Sequence, residues 1–389
     1  MLFAISAVHM LNDSMQSVVA ALVPVFHDAM HLSFAQVGWI IFTLNMTSSI
    51  MQPVVGMWSD KRPTPWMLPV GMLCSMGGMI GMAFAQSFAL LLLSVVFVGF
   101  GSAVFHPEGS RVVYLAAGKR RAFAQALYQV GGNFGQSLAP LMTLYIFLPL
   151  GQRGAIWGTL LALAAIIILY RVVPWYSRRL EEQGRATAAA KKKGVHAEED
   201  GIASFTRRAV AIALSLLLFI VIARTWYAAA IGNFYQFYAK ETYGISIGMA
   251  QIPLFLFMAA GVAGTFFGGL MGDRIGRKQV MLFSLLGSAP FALALPHLPL
   301  AWVYPAIALM GFILQSGFSV SVVYAQELLP GKVGTASGLI TGLAFGMGAL
   351  GAIVLGNMAD THGISPVMIG ASVLPLAGIL AIWLPKDRR

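Results

Sequence analysis

Twelve hydrophobic runs follow one another along the chain and are separated by short polar connections. A helix needs about 20 predominantly apolar residues to cross the hydrocarbon core of a bilayer, and each run is close to that length. The pattern therefore predicts an all-α membrane protein with twelve transmembrane helices. The predicted helices lie near residues 3–26, 36–58, 66–86, 88–115, 122–148, 153–174, 207–238, 246–272, 279–297, 300–328, 334–357 and 366–385.

The two halves of the chain share a pattern. A motif that starts at Gly56 and contains Asp60 recurs 213 positions later (269 minus 56), starting at Gly269 and containing Asp273. A Gly, Phe, Gly set at 131, 134 and 135 recurs 211 positions later at 342, 345 and 346. Parallel repeats of this size are typical of transporters whose substrate lies between two halves. We predict a six-helix bundle over 1–175, a cytoplasmic linker over 176–206 and a second six-helix bundle over 207–389.

Composition and charge agree with a membrane location. The chain is 58% hydrophobic and 10% charged, whereas a soluble domain carries about 25% charged residues. Most of its 25 Lys and Arg residues fall in alternate connections, which predicts cytoplasmic termini and a cytoplasmic central loop. This alternation accounts for the net charge of +11 without a nucleic-acid partner, and basic residues of the linker are expected to meet lipid headgroups.

Charged residues cluster just beyond the second and eighth runs. Asp60 and Asp273 each stand next to basic residues, where a carboxylate can accept charge-assisted hydrogen bonds and face the N-terminus of a helix. We interpret these clusters as gating latches, and the alternative is that the charges only anchor the topology. The predicted gating residues are Asp60, Lys61, Arg62, Arg111, Asp273, Arg274, Arg277 and Glu327.

Ionisable side chains within the runs are candidates for proton coupling, because such groups are costly at membrane depth and mark functional sites. On the first run, spacings of three and four put four polar side chains on one face. The fourth run adds two ionisable residues beside a proline. The predicted proton-coupling residues are His9, Asp13, His106 and Glu108. The alternative is structural ion pairing, between Glu108 and Arg111 and between Glu327 and Lys332.

One arginine, Arg224, lies deep in the seventh run and is the candidate ligand for an anionic substrate. The alternative is a salt bridge from Arg224 to Asp13 or Glu108. A polar stripe on the fifth run can line the same cavity, or can make hydrogen bonds between helices. The predicted substrate-binding residues are Asn12, Gln16, Gln129, Asn133, Arg224 and Tyr227, and no metal set is predicted.

Several strings resemble a known family. The stretch from Gly269 to Lys278 resembles the loop signature of the major facilitator superfamily, which implies two six-helix bundles and alternating access to a central cavity. Further strings resemble the fosmidomycin resistance protein group of that superfamily. They are His9-Met-Leu-Asn12-Asp13, Phe105-His106-Pro107-Glu108, Gln129-Val-Gly-Gly-Asn133-Phe134-Gly135, Tyr324-Ala-Gln326-Glu327-Leu-Leu-Pro330-Gly331 and Phe345-Gly346-Met-Gly348.

The closer resemblance implies proton-driven efflux of fosmidomycin, a small phosphonate with a hydroxamate, across the bacterial inner membrane. We predict a monomeric transporter that needs no cofactor beyond the proton gradient. The inward-open state would bind drug while the carboxylates are unprotonated, and the outward-open state would take up protons and release drug. One rival is a proton-coupled carrier of an endogenous organic anion. The other is a membrane-embedded enzyme or receptor, which would need a metal set or a catalytic dyad.

Overall fold

The computed structural model describes residues 1–32, 34–137, 148–192, 206–245 and 247–386, together with positions 142 and 146. Helices make up the ordered structure of this part of the chain, and none of the residues in these ranges forms a β-strand. The hydrophobic runs therefore fold as helices, as backbone groups in lipid require.

The described residues of the first half form six long helices. They are α1 (Leu2–Met30), α2 (Phe34–Lys61), α3 (Met67–Phe84), α4 (Phe88–Ala116), α5 (Arg121–Ser137) and α6 (Gly158–Lys192). A helical turn at Leu148–Leu150 and a 3-10 helix at Gly151–Trp157 lead into α6. Helix α6 continues through the first part of the predicted linker, and residues 193–205 lie outside the described residues.

The helices of the second half are interrupted more often than those of the first half. Its helices are α7 (Arg207–Tyr243), α8 (Ile247–Ile275), α9 (Arg277–Leu286), α10 (Ala289–Ala294), α11 (Leu300–Gln315), α12 (Phe318–Leu328), α13 (Val333–His362) and α14 (Ile364–Ala371). Short 3-10 helices at Leu295–His297 and Leu374–Trp383 extend α10 and α14. The ninth, tenth and twelfth predicted helices are thus each divided. Pro290 and Pro296 lie at the breaks in the ninth predicted helix, and Pro375 lies at the break in the twelfth. At the start of a helical segment, the missing N–H group of proline breaks no hydrogen bond within the helix.

Ten helical stretches of the described chain are long and apolar enough to cross a membrane. Helix α1 and the α5 region add two more segments, so the count is consistent with the twelve predicted spans. The protein is a multi-pass membrane protein.

The chain forms two compact units. The first contains Met1–Lys119, Leu127–Ala203 and Leu329–Gly342; the second contains Arg120–Ala126, Ser204–Leu328 and Leu343–Arg389. Each unit therefore includes a short segment from the other half of the sequence. The start of α13 belongs to the first unit, and the start of α5 belongs to the second.

Close packing inside the first unit brings α5 against α1. A Cβ atom on Gly131 or Gly135 would collide with the backbone carbonyl group of Ser6 or Met10. Small residues permit this approach, as is common between membrane helices. It sets the polar face of α1 against the polar stripe of α5.

Candidate functional site

A buried cluster surrounds Asp13 in the first unit. Asp13 is 2% exposed, and both of its carboxylate oxygens accept a hydrogen bond from a side-chain amide. Asn12 Nδ2 donates to Oδ1 at 3.0 Å, and Gln136 Nε2 donates to Oδ2 at 2.9 Å. Asn12 directly precedes Asp13 on α1, whereas Gln136 belongs to the polar stripe of α5.

Two histidines contact the same carboxylate. His9 Nε2 lies 3.4 Å from Asp13 Oδ2, and His106 Nε2 lies 3.7 Å from Asp13 Oδ1. Both imidazoles are buried. Three of the four predicted proton-coupling residues, on α1 and α4, are therefore in contact with one another.

The hydrogen bond between His9 and Tyr128 assigns one ring hydrogen of His9. His9 Nδ1 lies 2.7 Å from the backbone carbonyl oxygen of Tyr128, and its ring stacks on the Tyr128 ring at 4.0 Å. A carbonyl oxygen can only accept, so Nδ1 carries a hydrogen. In a neutral imidazole, Nε2 would then point a lone pair at an oxygen of Asp13. The distance between these two atoms is 3.4 Å.

The same three residues have the spacing of metal ligands, because their nitrogen and oxygen atoms lie within 4.8 Å of one another. However, Gln16 Nε2 lies 3.4 Å from Nε2 of His106. An amide donor at this position suits a hydrogen bond better than a metal-bound imidazole.

Two of the predicted substrate-binding residues of the first half, Asn12 and Gln16, belong to this cluster. Asn12 Nδ2 also donates to Ser102 Oγ at 3.4 Å, and Gln16 Nε2 donates to the same hydroxyl group. On α5, Gln129 is buried and Asn133 is half-buried. We call the set His9, Asn12, Asp13, Gln16, Ser102, His106, Tyr128 and Gln136 the Asp13 cluster.

Glu108, the fourth predicted proton-coupling residue, lies apart from the histidines. It is fully buried and accepts a hydrogen bond of 2.8 Å from the hydroxyl group of Tyr176 on α6. Within the described parts of the chain, no basic side chain lies within ion-pair distance of Glu108. The alternative Glu108–Arg111 pair is therefore not formed, because Arg111 pairs with Asp60 instead.

In the second unit, Arg224 is buried on α7, with 1% of its surface exposed. Its Nη1 donates to Ser321 Oγ at 3.2 Å, and its Nη2 donates to Ser284 Oγ at 2.9 Å. Within the described residues of the second unit, no carboxylate lies within ion-pair distance of Arg224. Tyr227, one turn further along α7, is also buried and directs its hydroxyl group to Met310 Sδ at 2.9 Å.

The first latch is centred on Asp60, at the end of α2. Its carboxylate pairs with Arg111 of α4 and accepts hydrogen bonds from the backbone N–H groups of Gly334 at 3.0 Å and Thr335 at 2.8 Å. The Thr335 hydroxyl group is a further donor. A carboxylate at the first turn of α13 satisfies N–H groups that have no partner within the helix.

The second latch repeats this arrangement. Asp273, at the end of α8, accepts hydrogen bonds from the backbone N–H groups of Ala122 at 3.1 Å and Phe123 at 2.8 Å, in the first turn of α5. Arg277 lies 3.6 Å from Asp273 and 3.1 Å from Glu327. Glu327 thus pairs with Arg277, whereas the sequence suggested Lys332 as its alternative partner.

Three of the predicted gating residues lie outside the contacts of the two latches. The side chains of Lys61, Arg62 and Arg274 are exposed. The basic partner of each aspartate comes instead from a neighbouring helix or from the next turn. Lys61, Arg62 and Arg274 are close to the aspartates in sequence, but their side chains are exposed. Closeness in sequence therefore did not predict the ion-pair partner of either aspartate.

Sequence reasoning missed several partners of these groups. Ser102, Ser284, Ser321 and Tyr176 are buried hydroxyl residues on apolar helices. Serine is common in membrane helices and carries no charge, so nothing in the sequence distinguished these serines from the others. The only available signal was the i, i+4 spacing of Ser102 and His106 on α4.

Comparison with known proteins agrees with the helical, multi-pass architecture of the chain. The family model described as Major Facilitator Superfamily matches residues 2–350 and, in a second match, 216–389. The chain is 51% identical to the uncharacterized MFS-type transporter YfnC of Bacillus subtilis, over 100% of this chain and 93% of the relative. It is 46% identical to the fosmidomycin resistance protein of Escherichia coli, over 99% of this chain and 92% of the relative.

A solved structure extends the likeness to the fold. The transporter FucP in its outward conformation matches with a TM-score of 0.73 at 15% identity, covering 99% of this chain and 98% of FucP. The predicted fold class and the predicted family resemblance are both confirmed. The chain belongs to the major facilitator superfamily.

Proposed function

We propose that this transporter exports a small anionic compound such as fosmidomycin from the bacterial cytoplasm in exchange for protons, by alternating access. The relative that is 46% identical over nearly the whole chain is a fosmidomycin resistance protein, which supports the substrate class. The positive-inside distribution of Lys and Arg supports an inner-membrane location with cytoplasmic termini. We further propose that the transporter acts as a monomer and uses no cofactor beyond the proton gradient.

The contact between His9 and Asp13 is the observation that carries proton coupling. We propose that a proton is taken up between Nε2 of His9 and Oδ2 of Asp13, which lie 3.4 Å apart, while Nδ1 of His9 donates to the backbone of Tyr128. A site that holds one exchangeable proton between two buried groups is what a proton-coupled carrier needs. His106 is the third member of this site, and Glu108 is proposed as a separate second carrier.

Arg224 is proposed to hold the anionic group of the substrate. Its guanidinium group is always charged, and two uncharged serine hydroxyl groups are its only side-chain partners among the described residues. Tyr227, Gln129, Asn133, Asn12 and Gln16 are proposed to complete the substrate path.

The two latches are proposed to hold one access state and to separate in the other. Each aspartate accepts N–H groups from a helix that starts in the opposite half of the sequence. If these bonds were lost, the N–H groups at the helix ends could form hydrogen bonds with water. The latches can therefore open without leaving buried polar groups unpaired.

Transport in proteoliposomes tests the proposal. With an acidic lumen, a proton antiporter should accumulate labelled fosmidomycin, because outward proton flow drives inward drug flow. With an acidic exterior it should not. Accumulation only with an acidic exterior would identify a symporter and favour the endogenous-anion alternative. Transport that is independent of both gradients would contradict proton coupling.

A further inference from the structure

Two exposed basic residues beside the first latch take no part in it. Lys61 and Arg62 directly follow Asp60 at the end of α2, and both side chains are exposed. Among the described residues, neither of these side chains forms an ion pair, because Asp60 pairs with Arg111. Two cations thus lie next to each other at the predicted cytoplasmic end of a membrane-spanning helix, where they can bind an anion from outside the protein.

Two tryptophans flank this basic pair. Trp58 on α2 is 57% exposed, and Trp66, which directly precedes α3, is 59% exposed. Trp58 precedes Lys61 by three positions and Arg62 by four, so the ring lies on the same side of the helix end as both cations. Tryptophan favours the headgroup level of a bilayer, because its ring is apolar and its N–H group is polar. The tryptophans therefore place the basic pair at the depth of the lipid headgroups.

The backbone between α2 and α3 holds these side chains in place. The N–H group of Arg62 donates to the carbonyl oxygen of Trp58 at 2.9 Å, so the helical turn is intact up to Arg62. The hydroxyl group of Thr64 donates to the carbonyl oxygen of Arg62 at 3.1 Å. Pro63 and Pro65 restrict the turn further, since the proline ring fixes φ. A turn that is ordered in advance loses little conformational entropy when a ligand binds.

The corresponding turn of the second copy uses its basic residues inside the protein. Arg277 is buried and pairs with two carboxylates. Lys278 Nζ donates to two backbone carbonyl oxygens near the C-terminus, both at 2.6 Å. The stretch from Gly269 to Lys278 contains no tryptophan. The basic pair and the tryptophans of the first copy are therefore an addition that the shared latch does not require.

We propose that the turn between α2 and α3 binds the headgroup of an anionic glycerophospholipid such as phosphatidylglycerol. The lipid phosphate would accept charge-assisted hydrogen bonds from Lys61 and Arg62. The tryptophan rings would contact the glycerol group and the adjoining part of the acyl chains. A free anion would use only the two cations, whereas a lipid uses all four side chains. We call the set Trp58, Lys61, Arg62 and Trp66 the headgroup site.

Lipid binding to the purified protein in an uncharged detergent tests the proposal. Native mass spectrometry would compare phosphatidylglycerol with phosphatidylcholine of the same chain length at equal concentrations. The wild type should prefer phosphatidylglycerol. The paired variant Lys61→Gln and Arg62→Gln should bind it about 30-fold more weakly, since each basic residue near an anionic lipid contributes about fivefold. Equal binding of the two lipids by the wild type would overturn the proposal.

The matched control is the paired variant Lys119→Gln and Arg120→Gln. These two residues are an adjacent and exposed basic pair on the same predicted side of the membrane, between α4 and α5, and no tryptophan flanks them. Their removal lowers the net charge by the same amount and should leave phosphatidylglycerol binding unchanged. An equal loss in both paired variants would reduce the effect to general surface charge and would also overturn the proposal.

Fluorescence quenching locates the bound lipid. Brominated phosphatidylglycerol quenches the tryptophans that its acyl chains contact, so the quenched fraction should fall when Trp58→Phe and Trp66→Phe are combined. Trp302→Phe is the control, because Trp302 is 66% exposed at the start of α11, away from the headgroup site in the sequence. An unchanged quenched fraction in the combined variant would place the lipid elsewhere and contradict the proposal.

Two further measurements separate a lipid from other causes. Inorganic phosphate at the same concentration should not displace phosphatidylglycerol, and displacement would assign the cations to a free anion instead. Phosphatidylglycerol should raise the midpoint of thermal unfolding of the wild type and of the Lys119 and Arg120 variant. A similar rise in the Lys61 and Arg62 variant would overturn the proposal. These measurements involve no substrate and no proton gradient, so their outcome is independent of the proposed export.

Discussion

Asp13 and Arg224 occupy corresponding positions in the two copies of the repeat. They lie 211 residues apart (224 minus 13), the same offset that relates Gly131 to Gly342. Asp13 is an acid surrounded by two imidazoles and two amides. Arg224 is a base bonded only to hydroxyl groups among the described side chains. Under the proposed function, one scaffold would carry proton coupling in its first copy and an anion-binding charge in its second.

The two latches show a smaller difference between the copies. The N–H donors at 122 and 123 correspond, at an offset of 212, to those at 334 and 335. Among the described residues, Arg111 forms an ion pair only with Asp60, whereas Arg277 pairs with both Asp273 and Glu327. Both copies keep the same latch geometry, but only in the second copy does the arginine have two acidic partners.

Asp13→Asn should have the largest effect, because asparagine cannot exchange a proton with His9. We expect pH-driven accumulation of fosmidomycin to fall to the level of liposomes without protein. The measurement is flux in proteoliposomes with an acidic lumen. Glu241→Gln, a change at an exposed carboxylate on α7, is the control and should transport normally. Full pH-driven flux in the Asp13 variant would move proton coupling to another residue.

Arg224→Ala should weaken methylphosphonate binding by about 100-fold, as expected when charge-assisted hydrogen bonds are lost. Calorimetry on the purified variant gives the affinity. Arg208→Ala removes an exposed arginine from the same helix and should leave binding unchanged. If the two variants bind alike, the contrast between Asp13 and Arg224 has no functional meaning.

Asp60→Asn should lower the free energy of unfolding by about 3 kcal/mol, because it leaves Arg111 buried without its ion pair. Reversible unfolding in mixed micelles provides the measurement. A loss no larger than that of an exposed-residue variant such as Glu241→Gln would show that the first latch contributes nothing to the stability of this state.

Asp273→Asn should have a smaller effect, about 1 kcal/mol, because Arg277 keeps Glu327 as a partner at 3.1 Å. The same unfolding measurement applies, and the result is read as a difference from Asp60→Asn. A larger loss for Asp273→Asn than for Asp60→Asn would reverse the proposed difference in redundancy.

Hydrophobic periodicity and the repeat predicted the helices well, because a membrane span must be both apolar and of sufficient length. The spacing of His9, Asn12 and Asp13 also predicted that they share a face. Ion pairs between helices that are distant in sequence could not be predicted as well. Arg111 bonds to Asp60 rather than to Glu108, which is three positions away on its own helix. Side-chain direction and helix packing decide such choices, and one sequence does not contain them.

The helix breaks were also beyond the sequence pattern. The tenth run reads as one continuous apolar segment, but the structure divides it at Ser316 and Gly317. A single glycine in an apolar helix is common, so the sequence did not mark Gly317 as unusual. In the structure, Arg224 and Ser284 lie directly beside it.

The proposed uptake of a proton by His9 and Asp13 is tested most directly by proton release on drug binding. Purified protein in a weakly buffered solution with a pH indicator would be mixed with fosmidomycin at a pH near neutrality. If drug and proton bind to opposite access states, the wild type should release protons and Asp13→Asn should release none. Absence of release from the wild type, or equal release from the variant, would contradict proton-coupled export through Asp13.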